Sequence, residues 1–217
     1  MTTAVSRAAA GGADARALVV GACEAAAELL ADPQVAASWD EPSALEGMTV
    51  GALAAHLVRA AGATIAYLDR PSGDGELLDA VEYFHQALTA PIHERIKQVS
   101  ASESSAGPAE LAGKCRRVAE QLADRLPAEP ADRTIGALEG RRLSLDDFCR
   151  TRLIEVLVHV DDLAASVAVP LPDVPADATG TVVDVLVGIA RRRHGDWAVI
   201  RTLARRERAQ DGVFPVL

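Results

Sequence analysis

Apolar residues recur along this chain at helical spacing, and proline, glycine and short polar runs divide them into segments. The first segment, Ala13 to Ala31, turns Leu18, Cys23, Leu29 and Leu30 inward and stops at Asp32-Pro33. Residues 1–12 (MTTAVSRAAAGG) carry no such stripe and are expected to fray. After a loop with Trp39, Pro42 and Gly47, Thr49 caps a second helix, VGALAAHLVRAAGATIAYLDR, which ends before Pro71. A third helical segment is predicted over about Glu76 to Ser100, kinked or split at Pro91, and a fourth over 108–126, opened by Pro108. Residues 128–143 hold Pro130, Gly136 and Gly140 and predict a loop with a short hairpin.

The fifth helix has the clearest start, because Ser144 can cap it and Asp146 and Asp147 stand at the positive end of its dipole. It continues to about Val167, where Pro170, Pro172 and Pro175 end it, and two last helices follow over 176–193 and 196–210, parted by His194-Gly195. With no internal repeat and no strand series, the pattern predicts an all-α fold: four long core helices and a short C-terminal helical pair.

Composition adds a constraint on packing. Of 217 residues, 49% are hydrophobic but only 3% aromatic, so the core must be built from small and medium side chains that let helices approach closely. The net charge of −9 opposes the attraction that nucleic acid or an anionic membrane requires, so neither is expected as a partner. The charge is uneven: Arg191 to Arg208 contains seven arginines against Asp196 and Glu207, a surplus of five that leaves −14 on the rest. That stretch is either a solvated helix face or a patch for an anionic ligand or for the second subunit of a homodimer.

Cys23, Cys115 and Cys149 are far apart and form no CxxC pair, which suits a reducing cytoplasm. Glu24 and Glu28 break the apolar run Leu18 to Leu30, so it lacks the form of a signal peptide, and a cytoplasmic location is expected.

The candidate chemistry lies on the fifth helix. In RTRLIEVLVHVDDLAAS, Glu155 and His159 are four residues apart and share a face, with Arg152 and Asp162 continuing the same polar stripe. The stripe is either the wet side of an amphipathic helix or a buried site. Leu153, Ile154, Val156, Leu157, Val158 and Val160 surround it nearly all round, and a carboxylate so enclosed must be paired or bound to a metal. His56 stands in ALAAHLVRAAG among Leu53, Leu57 and Ala60, as a core histidine or as a third ligand. If the second and fifth helices are neighbours, His56, Glu155 and His159 form a two-histidine, one-carboxylate set. That set keeps positions open for chemistry and suits zinc first, with iron, nickel or manganese as alternatives.

The segments WDEPSALEGMTVGALAAHLVRA and RLIEVLVHVDDLA resemble the N-terminal domain of mycothiol-dependent maleylpyruvate isomerases, within the DinB-like helical-bundle superfamily, over roughly residues 15–170. The tail RRRHGDWAVIRTLARRER resembles the ends of short actinobacterial members. The resemblance implies a DinB-like four-helix bundle over 13–170 that holds the metal on His56, Glu155 and His159, with a C-terminal helical extension over 171–217 packed on it. It also implies mycothiol as thiol cosubstrate, bound to the metal as a thiolate and offered to a small-molecule electrophile in S-transfer or isomerisation. The isomerases proper carry a larger C-terminal domain that contributes to their active site, so a thiol-using metal site is expected here rather than maleylpyruvate isomerisation itself.

In this scheme Asp162 orients a ligand imidazole, and Arg152 holds an anionic group or pairs with Glu155. The alternatives are a non-catalytic metal-binding bundle, of a binding or stress-linked kind, and a metal-dependent hydrolase. His85 and His93 are expected at the surface, and His194 at a helix end. Trp39 and Trp197 are expected to anchor loop and tail to the bundle, and Cys149 to serve structure despite some thiolate character from the helix dipole.

Overall fold

The computed structural model describes residues 14–87, 93–137 and 140–217, with His93 described by its backbone alone. The expected fraying of residues 1–12 and the kink at Pro91 lie outside the described residues. Four long helices form the centre: α1 (Ala15–Leu30), α3 (Val50–Leu68), α6 (Pro108–Arg125) and α7 (Leu145–Val167). Between α1 and α3 lies the short α2 (Pro33–Ala37), and between α3 and α6 lie α4 (Ala80–Ala87) and α5 (His93–Glu103). The chain closes with α8 (Ala176–His194) and α9 (Asp196–Ala204).

The starts of the central helices follow from side-chain caps that satisfy backbone N–H groups the helix itself leaves unpaired. Thr49 Oγ1 accepts from the Ala52 amide at 3.2 Å and Ser144 Oγ from the Asp147 amide at 3.0 Å, while Asp14 caps α1 through the Arg16 amide. At the other end of α7, Ala168 adopts the left-handed conformation (φ 54°), and its N–H closes back on the last turn.

Both α6 and α7 pack against α1 and α3, so the four enclose one core. Leu53, Leu57, Leu122, Leu153, Ile154 and Leu163 are fully buried there, and Phe148 is the one aromatic ring among the largest fully buried side chains. Helix α3 has the length and apolarity to cross a membrane; the packing of α5, α6 and α7 around it accounts for that composition here.

The expected third helix is interrupted. Leu77–Leu78 form a strand (β1), and two separate helices, α4 and α5, follow. Strand β1 pairs in parallel with β3 (Arg142–Ser144), which pairs antiparallel with β2 (Thr134–Gly136), so the expected hairpin forms and recruits a third strand. Leu78, Ile135 and Leu143 turn one face of this small sheet into the core, a burial that a helix through residues 77–78 would not provide.

The last helix ends at Ala204 rather than near residue 210; the arginine-rich stretch after it forms only a single 3-10 turn, Arg206–Arg208. Trp39 does anchor its loop: its ring lies over the backbone of Gly51, whose amide donates to the Trp39 carbonyl at 2.8 Å. Trp197 does not anchor the tail, since α9 buries Ala198 and Val199 and leaves Trp197 68% exposed.

A Cβ at Gly51 would stand 2.6 Å from Trp39 Cε2, whereas one at Gly180 in α8 would meet nothing within 4 Å. Gly51→Ala is therefore expected to destabilise by about 1–3 kcal/mol through forced displacement of the ring. Gly180→Ala is expected to stabilise by about 0.5–1 kcal/mol through helix propensity. Thermal unfolding of the two variants measures both signs.

Candidate metal centre

Helices α3 and α7 pack side by side, and their contact brings His56 of the first onto the polar stripe of the second. One donor atom each from His56, Glu155 and His159 lies within 4.8 Å of the other two. His159 Nε2 stands 3.7 Å from Glu155 Oε2, and the two imidazoles meet edge to face with ring centroids 4.5 Å apart. All three residues are half-buried: the His159 and Glu155 side chains keep 12% and 27% of their surface, and their α7 neighbours Leu153, Ile154, Val156 and Val160 are buried in the core.

Each histidine is oriented from behind. His159 Nδ1 lies 3.1 Å from Asp162 Oδ2, one turn further along α7, so Nδ1–H donates to the carboxylate and Nε2 faces Glu155. A carboxylate behind an imidazole in this way fixes its tautomer and raises its basicity as a ligand. His56 is held by Arg59, whose Nη2 lies 2.9 Å from His56 Nδ1 and 3.0 Å from Ser100 Oγ; its Nη1 donates to Glu103 Oε2 at 3.1 Å. A guanidinium can only donate, so Nδ1 accepts and the ring proton sits on Nε2. A cation taking Nε2 with the ring neutral would return that proton to Nδ1 and loosen Arg59, for which Ser100 and Glu103 are already partners.

Arg152 is buried, 9% exposed, one turn before Glu155. Its Nε donates to Thr151 Oγ1 at 3.2 Å and its guanidinium lies 5.3 Å from the Phe148 ring centre; no described carboxylate comes within 4.0 Å of it. It therefore acts on Glu155 through its field rather than through a contact ion pair. The same field reaches the Tyr83 hydroxyl from α4, where burial raises the phenol's pKa and Arg152 opposes the rise.

The protonation pattern follows from these contacts. Burial, the charge of His159 and the nearby arginines push His56 down to about 4. Burial would raise Glu155, but the facing His159 imidazolium at 3.7 Å and the charge of Arg152 hold it well below the usual carboxylate range. Burial would lower His159, yet Asp162 and Glu155 outweigh it and raise the imidazole to about 9. Without a metal the cluster is thus an ionised Glu155, a protonated His159 and a neutral His56.

Two soft-to-borderline nitrogens and one carboxylate oxygen are the donor set of an open zinc site, in which protein supplies three ligands and solvent or substrate the rest. Zinc–ligand bonds of about 2.0–2.2 Å place donors roughly 3.3–3.5 Å apart, so a cluster spread over at most 4.8 Å closes on an ion by side-chain rotation. The residues present fit the group.

Other expected positions come out differently. His85 is half-buried rather than at the surface, with Nδ1 buried and unpartnered, because α4 is packed against α8 and α7. The side chain of His93 lies outside the described residues. His194 is exposed at the end of α8. Cys149 is fully buried, and desolvation pushes its thiol up to about 12, which outweighs any help from the helix dipole. Arg59 and Tyr83 were not found from the sequence. Arg59 carried a usable signal, being three residues after His56 and on its face, whereas Tyr83 reaches the site only through tertiary packing of α4.

Residues 19–164 match the family described as the mycothiol maleylpyruvate isomerase N-terminal domain. Among solved structures, the crystal structure of the mycothiol-dependent maleylpyruvate isomerase superposes with a TM-score of 0.53 at 18% identity, covering 80% of this chain and 66% of that one. A mutant of the same enzyme gives a TM-score of 0.53 at 18% identity, with 91% and 72% covered. This likeness establishes the DinB-like helical-bundle fold, and the chain spans about two thirds of the length of the isomerase. No curated protein sequence matches the chain.

The pKa pattern sets the pH dependence of the metal-free protein. The contribution of His159, whose pKa is raised, is complete below its unfolded value of about 6.5 and is lost as pH rises through about 9. For His56 the shift is downward, so the unfolded chain takes up a proton that the native state refuses, and stability falls as pH drops from about 6.5 towards about 4. The site's contribution to Tm should therefore peak near pH 6.5. In thermal unfolding with chelator present, His159→Asn should flatten the alkaline limb and His56→Asn the acid limb; limbs unchanged by either substitution would contradict this electrostatic scheme.

Proposed function

From the chain's membership of the mycothiol maleylpyruvate isomerase N-terminal domain family, to which it belongs by its match over residues 19–164, we propose a zinc-dependent enzyme that uses mycothiol against a small electrophile, by S-transfer or isomerisation. The observation that carries this reading is the convergence of His56, Glu155 and His159 from two helices into one half-buried cluster. In it, these three residues hold the metal. Zinc there would stabilise the thiolate form of a cosubstrate thiol near neutral pH, which is the nucleophilic form.

The chain's own groups do the rest. Asp162 holds His159 with Nε2 turned to the cluster, and Arg59 fixes the ring of His56 until an ion takes its Nε2. Arg152 keeps Glu155 ionised and therefore able to ligate. Their partial burial lowers the local dielectric, so each of these charges acts more strongly than it would in water. The free, buried Cys23, Cys115 and Cys149 suit work in a reducing cytoplasm.

At pH 7 only His159 of the three ligands carries a displaceable charge-bearing proton, so zinc uptake should release about one proton. Calorimetry in buffers of different ionisation enthalpy measures that number. Asp162→Asn should weaken zinc affinity by about 10–100-fold, the usual cost of losing a carboxylate behind a ligand imidazole.

The functional test is the rate of adduct formation between mycothiol and 1-chloro-2,4-dinitrobenzene with zinc-loaded protein. A rate above the spontaneous one that disappears in His56→Ala supports the proposal. Zinc binding with no rate gain for any thiol tried would point to a binding protein, and thiol-independent cleavage of an ester to a hydrolase.

A further inference from the structure

The C-terminal arginines divide into two groups. Arg191 pairs with Asp196 at 2.7 Å, Arg192 with Glu82 at 2.9 Å, and Arg193 donates to the Val216 carbonyl at 2.8 Å, so this first group is used within the chain. The second group makes no ion pair with a described residue: Arg201 lies 5.9 Å from the Trp197 ring centre, Arg205 donates to the carbonyl of its neighbour Ala204, and Arg208 stands at the end of the following 3-10 turn. On the same helix Trp197, Ile200 and Leu203, at spacing i, i+3, i+6, are 68%, 49% and 64% exposed, with Trp197 and Ile200 beside Arg201, Arg205 and Arg208. Three large apolar side chains exposed along one nine-residue helix, beside three arginines that pair with no described carboxylate, have the form of an interaction surface.

The same chain carries a surface of the opposite kind. Helices α1 and α6 border a groove of about 400 Å³ lined by the buried Ala27 and Ala119 and the exposed Ala31. Glu24, Glu28 and Glu120 line it with Arg116, and none of these acidic side chains pairs with a described cation within 4.0 Å. A lining of small residues can admit a large ring, and a carboxylate rim matches a guanidinium rim.

We propose that α9 is an interaction surface for a second copy of this chain, its Trp197–Ile200–Leu203 stripe seated in the partner's α1/α6 groove with Arg201, Arg205 and Arg208 facing that groove's glutamates. An isologous contact of α9 with α9 is disfavoured, because it sets like charges against each other. The contact is independent of the metal site, so zinc uptake reports folding in every variant.

Sedimentation velocity from about 1 to 200 μM protein tests this. At low salt the mass should rise above the 22.7 kDa of one chain, and about 0.5 M salt should weaken the association, since rim charges are screened. Trp197→Ala, Arg205→Glu and Glu28→Arg should each weaken it about tenfold or more while leaving zinc uptake unchanged. Mixing the Arg205→Glu and Glu28→Arg proteins should restore association, because each copy then offers what the other lacks. A chain that stays monomeric to 200 μM, association untouched by the three substitutions, or a mixture that fails to recover would overturn the proposal. So would a monomer whose α9 instead binds vesicles of anionic phospholipid in a Trp197-dependent way, which would make this a membrane-facing surface.

Discussion

A carboxylate placed between two packed helices must find a positive partner, and most of the particular features of this molecule answer that requirement at Glu155. Moving an ionised carboxylate out of water costs several kcal/mol unless charge or hydrogen bonds compensate it. Here the compensation is layered: His159 at 3.7 Å and Arg152 through its field, with the neutral His56 ring beside them. Each compensating group is secured in turn. Asp162 holds His159, Arg59 with Ser100 and Glu103 holds His56, and Thr151 and Phe148 hold Arg152. A divalent cation would take over the same work, and the cluster has the donors to receive one. The metal-free state, an ion pair beside a neutral imidazole, is the same arrangement with a proton in the cation's place.

The surrounding fold is built to keep α3 and α7 close. Small residues on α3, among them Gly51, Ala52, Ala54, Ala55 and Ala61, are buried and let neighbouring elements approach its backbone. Fixed starts at Thr49 and Ser144 set where along each helix the three donors fall, since a shift of one residue would rotate a donor by about 100° and take it out of the cluster. The one-helix-turn spacing of Arg152, Glu155, His159 and Asp162 then does the rest.

Helices were readable where a cap or a proline marks the start and a breaker the end; those opened by Pro108 and Pro175 appear within one residue of expectation without any side-chain cap. The fifth predicted helix, from its Ser144 cap to Val167, and the helix opened by Thr49 appear as expected, because a polar cap, an apolar stripe and a proline act locally. Glu155 and His159 were readable as a pair for the same reason, four residues apart on one helix. Their meeting with His56 depended on which helices are neighbours, which periodicity does not state; the family resemblance supplied that step. The segment after Pro71 misled because strand β1 is only two residues long and exists through pairing with β3, more than sixty residues away. Tyr83 and the half-buried His85 were hidden by the same packing of α4. Trp197 was misjudged for a different reason: an aromatic residue in an amphipathic helix looks the same in sequence whether its face meets the bundle or another molecule. For Cys149, the local dipole was visible in the sequence and the larger desolvation was not.

The central claim is that His56, Glu155 and His159 bind one metal ion together. X-ray absorption at the zinc edge of the loaded protein tests it most directly. The spectrum should show one zinc per chain with two imidazole nitrogens and a carboxylate oxygen at about 2.0–2.2 Å, one imidazole shell lost in His56→Ala, and no sulfur from the buried cysteines. A zinc surrounded by cysteine sulfur, or a spectrum unchanged by His56→Ala, would contradict it.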